Sequence, residues 1–369
     1  MKIKTPSFLR QLCTIKSLSF KLSLMGLLLA YLPIIFKVSY SRFNVTDTLP
    51  QLQAINTEVL KKLGTFTVRV KTGMFIKNFP VFDVIKNTFL VDSVIWFEFN
   101  GDEIMLETVE KFSIDNGKIL NKSTPDIKMS GDRVFAKYNV LFELKADLNF
   151  HKFPFENHKL PILLSNDFVT PNEMFFVIDA SSFQLLPNIA PAGWSFRDTA
   201  VDAGFVQLKL DTQDKTKLTE TPKALFVLNF VKASIRKVLI IFVPLYSAAA
   251  LSLLSFVMNI ANVVGKFSIA ITALTALLGY RFVIEQVMPQ VGYLTTTDAI
   301  YLFLLLFVFL IFSFQLLLTR CYMLLSENKD PSAQKAKELS ALFLEKINGI
   351  IFIIMAILLA AATTYFILA

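Results

Sequence analysis

Residues 267–280 read FSIAITALTALLGY, an uncharged stretch whose hydroxyls decide the architecture. On a helix Ser268, Thr272, Thr275, Gly279 and Phe282 follow one another at steps of four, three, four and three, so they share one face. An unpaired hydroxyl in hydrocarbon costs free energy, so this face needs water or protein beside it. One chain cannot enclose a water-filled path with a single such face, whereas symmetric copies can. A ring-like oligomer is therefore one reading. The other is that these small residues pack against neighbouring helices, as is common in membranes.

Outward from this stretch the chain is strongly apolar, with 54% hydrophobic residues and a mean hydropathy of +0.55. Three further runs lack charge: Val238 to Gly265, Ala299 to Thr319, and Ile347 to Ala369. Each exceeds the roughly 20 residues a helix needs to cross hydrocarbon. Four membrane helices are expected, at about 238–258, 264–286, 297–319 and 345–368, making residues 237–369 a membrane domain. Near the start, Leu22 to Phe36 is apolar and follows Lys2, Lys4, Arg10, Lys16 and Lys21. That pattern makes residues 1–41 a signal peptide, with Ser39 and Ser41 offering a cleavage site, or else a retained signal anchor. Lys37 fits cleavage poorly.

Residues 42–236 change character. Runs such as Thr67–Phe79, Thr88–Phe99, Val134–Phe150, Met174–Ile178, Phe205–Leu210 and Ala224–Ile235 alternate apolar and polar positions. Turn clusters such as Asn100-Gly101-Asp102 and Asp115-Asn116-Gly117 punctuate them. An all-β sandwich results, placed outside the cell's inner (plasma) membrane. The connector Arg320–Lys346 mixes Lys329, Lys335, Lys337 and Lys346 with Glu327, Asp330, Glu338 and Glu345, whereas Gln286–Thr297 has no Lys or Arg. That charge distribution orients the helices with the connector inside.

The net charge of +8 is concentrated in the leader, so topology explains it better than nucleic acid does. Cys13 and Cys321 both lie outside the β-rich region, leaving no disulfide or cysteine metal cluster there. No phosphate-binding glycine loop, Cys-His pair or metal-ligand spacing points to an enzyme, and no cofactor is expected.

Several motifs, in order, resemble the pentameric ligand-gated ion channels, the family that includes the Cys-loop receptors and their prokaryotic relatives. Asp147-Leu148 followed by Phe153-Pro154-Phe155-Glu156-Asn157-His158 is similar to the family's signature loop, with Ala146 and Leu160 where animal receptors have cysteines. Thr72-Gly73-Met74-Phe75 through Phe82-Asp83 to Asn87-Thr88-Phe89 resembles the first two strands, and Thr124-Pro125-Asp126 the Trp-x-Pro-acid loop without its Trp. Gly193-Trp194, Pro244, and Met288-Pro289-Gln290-Val291-Gly292-Tyr293-Leu294-Thr295 with Asp298 complete the set.

The resemblance implies a homopentameric channel, gated by a ligand, protons or a divalent cation, that conducts small ions through a ring of second helices surrounded by lipid. Ser268, Thr272, Thr275, Gly279 and Phe282 would line the pore, Phe282 as an apolar constriction that gates by dewetting. Thr275 stands where many members have a leucine. Lys266 would sit at the inner mouth and Glu285 at the outer, where a carboxylate ring would favour cations unless Arg281 opposes it. Asp83, Pro154, Glu156, Lys232 and Pro289 match positions that couple the β-domain to the helices, with Lys232 replacing an Arg. The loop Asp211–Thr221 has no aromatic residue, so a cage for a quaternary amine is not expected. His151 and His158 are candidate proton sensors, His151 also reading as a surface residue and His158 as a structural one. A non-conducting membrane receptor or assembly protein with the same fold is the competing reading.

Overall fold

The computed structural model describes residues 18–40, 44–45, 47–54, 67–189, 191, 193–210, 218–327 and 334–368. Most leader charges, Cys13, Ser41, residues 211–217 of the aromatic-free loop, and Lys329 and Asp330 of the connector lie outside them. The chain forms two compact units: one from residues 44–149 and 156–234, the other from 1–43, 150–155 and 235–369.

The first unit is built of sheet. Strands β1 (Asn44–Val45), β2 (Gln53–Ala54), β5 (Ser113–Ile114), β9 (Glu156–Ser165), β12 (Trp194–Lys209) and β13 (Leu218–Lys232) form one sheet, ordered β1-β9-β13-β12-β2 with β5 on β9. The second sheet runs β10-β3-β4-β8-β6, with β11 on β3 and β7 on β8. Its members are β3 (Val68–Asp83), β4 (Thr88–Asn100), β6 (Gly117–Lys122), β7 (Asp126–Ser130), β8 (Arg133–Leu144), β10 (Met174–Val177) and β11 (Phe183–Leu185).

Alternation sets the inner face. Phe89, Val91, Ser93, Ile95, Phe97 and Phe99 of β4 are buried while the residues between them are half-exposed. Aromatic rings join the sheets: Phe82 of β3 meets Phe230 of β13 at 5.1 Å, and Phe79 meets Phe196 of β12 at 5.4 Å. Such pairs contribute about 0.5–1.5 kcal/mol beyond their buried area. Gly73 is required by packing, since a Cβ there would lie 2.3 Å from the Trp96 ring and 2.5 Å from the Ser182 carbonyl. At the turn before β6, Asn116 donates to the Pro161 carbonyl at 2.8 Å and accepts from the Leu163 amide at 3.2 Å.

The second unit is helical. It holds α1 (Leu18–Tyr40), α2 (Arg236–Leu254), α3 (Val263–Val287), α4 (Thr296–Glu327) and α5 (Gln334–Leu368). All five are long and apolar enough to cross a membrane, so the helical unit is not a plain four-helix set. The additional span is α1, in the segment read from sequence as a signal peptide or a retained signal anchor. α4 and α5 also extend well into the charged connector, which sequence reading leaves as a loop.

Candidate functional site

Helix α3 carries two unlike faces. Lys266, Ala270, Ala273, Leu277 and Ile284 are buried against the other helices. Ser268, Thr272, Thr275, Gly279, Phe282 and Glu285 are all exposed. No side chain of this face is buried by the described residues. Phe282 is 71% exposed. The Thr272 hydroxyl donates to the Ser268 carbonyl at 2.7 Å, which satisfies its proton locally and leaves its lone pairs outward. A Cβ on Gly279 would meet nothing within 4 Å, so the face has a gap below the Phe282 ring.

Lys266 and Glu285, the residues expected at the two mouths, lie differently. Lys266 is wholly buried on the opposite side from the hydroxyls, its ammonium donating to Gln315 Oε1 of α4 at 3.2 Å. Glu285 stays half-exposed and accepts from Arg281 at 2.9 Å, while a second Arg281 nitrogen donates to Asp298 at 2.7 Å. Arg281 also lies over the Tyr301 ring at 5.3 Å. One guanidinium therefore ties the end of α3 to the start of α4, as its fork geometry permits.

Residues 150–155, which include Pro154, belong to the helical unit and dock on the start of α4. The His151 carbonyl accepts from the Thr296 amide at 2.8 Å and its hydroxyl at 3.0 Å. The Phe153 carbonyl accepts from the Thr297 hydroxyl at 2.9 Å. The Tyr293 hydroxyl accepts from the Phe150 amide at 2.9 Å, and its ring stacks on His151 at 3.9 Å. Pro289 is buried in the connection between α3 and α4. The sequence contains the loop and the linker, but nothing in their spacing signals that Tyr293, Thr296 and Thr297 hold the loop.

The remaining charged positions lie in the sheet unit. Glu156 and Lys232 form a buried pair at 3.1 Å, with side chains 1% and 4% exposed. His158 Nδ1 lies 3.1 Å from Asp47 Oδ2, and Nε2 lies 3.5 Å from Glu156 Oε1. Asp47 also accepts from the backbone amides of Asn149 at 2.7 Å and Lys159 at 2.8 Å. Lys232 sits over the Trp194 ring at 5.4 Å, and Phe230 closes the cluster.

Burial opposes ionisation of Glu156, but the Lys232 charge and its contacts with His158 outweigh it and hold the carboxyl below its usual range. Burial likewise opposes the His158 imidazolium, yet its hydrogen bond to Asp47 and the nearby charges of Glu156 and Asp47 push its pKa up. Two acids and two bases thus balance when His158 is protonated. Asp83 lies apart from this group: it accepts from the Lys86 amide at 3.0 Å within its own turn. Asp47 was not singled out by sequence, because a lone acid just after a two-residue strand carries no pattern.

No protein-family model matches the chain, and no curated protein sequence matches it.

Proposed function

We propose that the chain is one subunit of a homopentameric ion channel of the pentameric ligand-gated kind, with α3 of each copy facing a shared aqueous path. The observation that carries this reading is the coincidence on α3: the hydroxyl stripe noted in the sequence is exposed among the described residues. Lipid does not stabilise a stripe of three hydroxyl residues, while a water-filled path lined by copies of it does. The sheet unit would lie outside the inner (plasma) membrane. Small cations are the favoured cargo, through Glu285, although its pairing with Arg281 reduces the carboxylate's field. Lys266, buried against Gln315, has no role at the mouth in this reading.

Coupling would pass along the chain itself. Phe155 of the loop docked on α4 is followed directly by Glu156, whose partner Lys232 ends the strand that leads into α2 at Arg236. The stimulus would be a small molecule, protons or a divalent cation, sensed in the sheet unit.

The test is current across a bilayer holding purified protein, with Phe282→Ala beside the wild type. Removing an apolar ring lowers a dewetting barrier, so the variant should leak at rest by about tenfold or more, equivalent to roughly 1.4 kcal/mol. In a Cys13→Ser, Cys321→Ser background, cysteines at 268, 272 and 275 should react with a water-soluble thiol reagent, and cysteines at 270, 273 and 277 should not. Silence in both proteins under acid, divalent-ion and ligand screening, with unreactive stripe cysteines, would reject the channel and favour a non-conducting receptor or assembly protein.

A further inference from the structure

A removable leader needs an apolar core of only about 7–15 residues and no fitted partners. The apolar run Leu22–Phe36 is no longer than such a core, but the helix around it has 23 residues, about 35 Å at 1.5 Å per residue, enough for a hydrocarbon layer of about 30 Å. Ser39, one of the two small residues that could mark a cleavage site, lies inside this helix.

The helix also has a made-to-fit face. Lys21, Met25, Leu28, Ile35 and Phe36 are buried, while Leu22, Leu27, Leu29 and Ile34 are exposed. A cation within a span is costly unless its protons are taken up. Lys21 meets that need by donating to the Phe256 carbonyl beyond α2 at 2.7 Å, an oxygen that also accepts from Asn348 of α5 at 2.8 Å. Higher on the helix the Tyr31 hydroxyl bonds Thr364 of α5.

At the far end Phe36 is 2% exposed. Its ring stacks on Phe242 of α2 at 5.5 Å and on Phe155 of the 150–155 loop at 6.3 Å, with Tyr246 edge-on at 6.0 Å. Phe155 and Phe242 also stack directly, at 5.4 Å. Four rings from three separate stretches of chain thus close one cluster, and α1 supplies one of them.

We infer that α1 is a permanent fifth span, joined to α2 and α5 through Lys21 and Tyr31, and that Phe36 positions the 150–155 loop by its stack on Phe155. This inference does not depend on ion conduction.

The experiment uses the full chain expressed in membranes and purified in detergent. Intact-mass measurement should account for all 369 residues apart from start-methionine processing, whereas a product lacking roughly the first 40 overturns the inference. Phe36→Ala should lower the melting temperature by more than about 5 °C, with Phe36→Tyr recovering most of the loss. Leu27→Ala, on the exposed face, should leave the temperature unchanged. If Phe36→Ala fails to fold, Phe36→Leu should show a smaller drop in the same direction. Wild-type melting in Phe36→Ala or Phe36→Leu would overturn the positioning role, because a discarded or loosely held helix leaves those changes silent.

Discussion

The set formed by Asp47, Glu156, His158 and Lys232 is balanced only while His158 keeps its proton, which makes its stability a function of pH. The folded pKa of His158 is raised above the ordinary 6.5. Its stabilisation is therefore complete below pH 6.5 and lost as pH rises through the folded value. Glu156 behaves oppositely: its folded pKa lies below the usual 4.5, so its contribution is present above pH 4.5 and lost as pH falls through the folded value. Stability should fall on the alkaline side of 6.5 by at most about 1.4 kcal/mol per pH unit, read as a falling melting temperature. His158→Gln should flatten that limb, and an identical slope in the variant would refute the assignment. Glu156 and Lys232 were readable from motif position, whereas Asp47 and the seating of His158 between two acids were not. Charges brought together over more than a hundred residues leave no trace in local spacing.

Among elements, α4 has the most legible boundary. Thr295 precedes it and Asp298 lies three residues on: the Asp298 carboxylate accepts from the Thr295 amide at 3.0 Å, and the Thr295 hydroxyl accepts from the Asp298 amide at 3.3 Å. That is a reciprocal capping box. Thr295→Ala should cost about 1 kcal/mol, seen as a lower melting temperature and faster amide exchange at residues 297–299. Unchanged exchange there would count against the cap. Strand β9 was the hardest element to see. All but one of its residues are buried, so Glu156–Ser165 lacks the alternation that exposes β4 and β8 to sequence reading. β8 likewise ends at Leu144, short of the Phe150 expected from its apolar pattern. Ala146, Leu148 and Phe150 continue the alternation and are buried without pairing in a sheet, a difference that periodicity does not register.

At the scale of the whole molecule, the proposed ring requires the exposed α3 faces of several copies to meet. A detergent-solubilised particle should have a protein mass of five chains, and any other multiple by mass photometry would contradict the proposed ring. Composition and periodicity by themselves determined that a sheet-rich region is followed by membrane-length helices, and that one of those helices has a hydroxyl stripe. These are properties of short windows, and burial preferences act within them directly. Only the tertiary structure decided that the stripe is left bare and that Lys266 turns away from it. It alone also set α1 among the other helices with Phe36 against Phe155. Each of those outcomes depends on which side chain arrives opposite another from a distant part of the chain, a matter of packing in three dimensions that residue order does not encode locally.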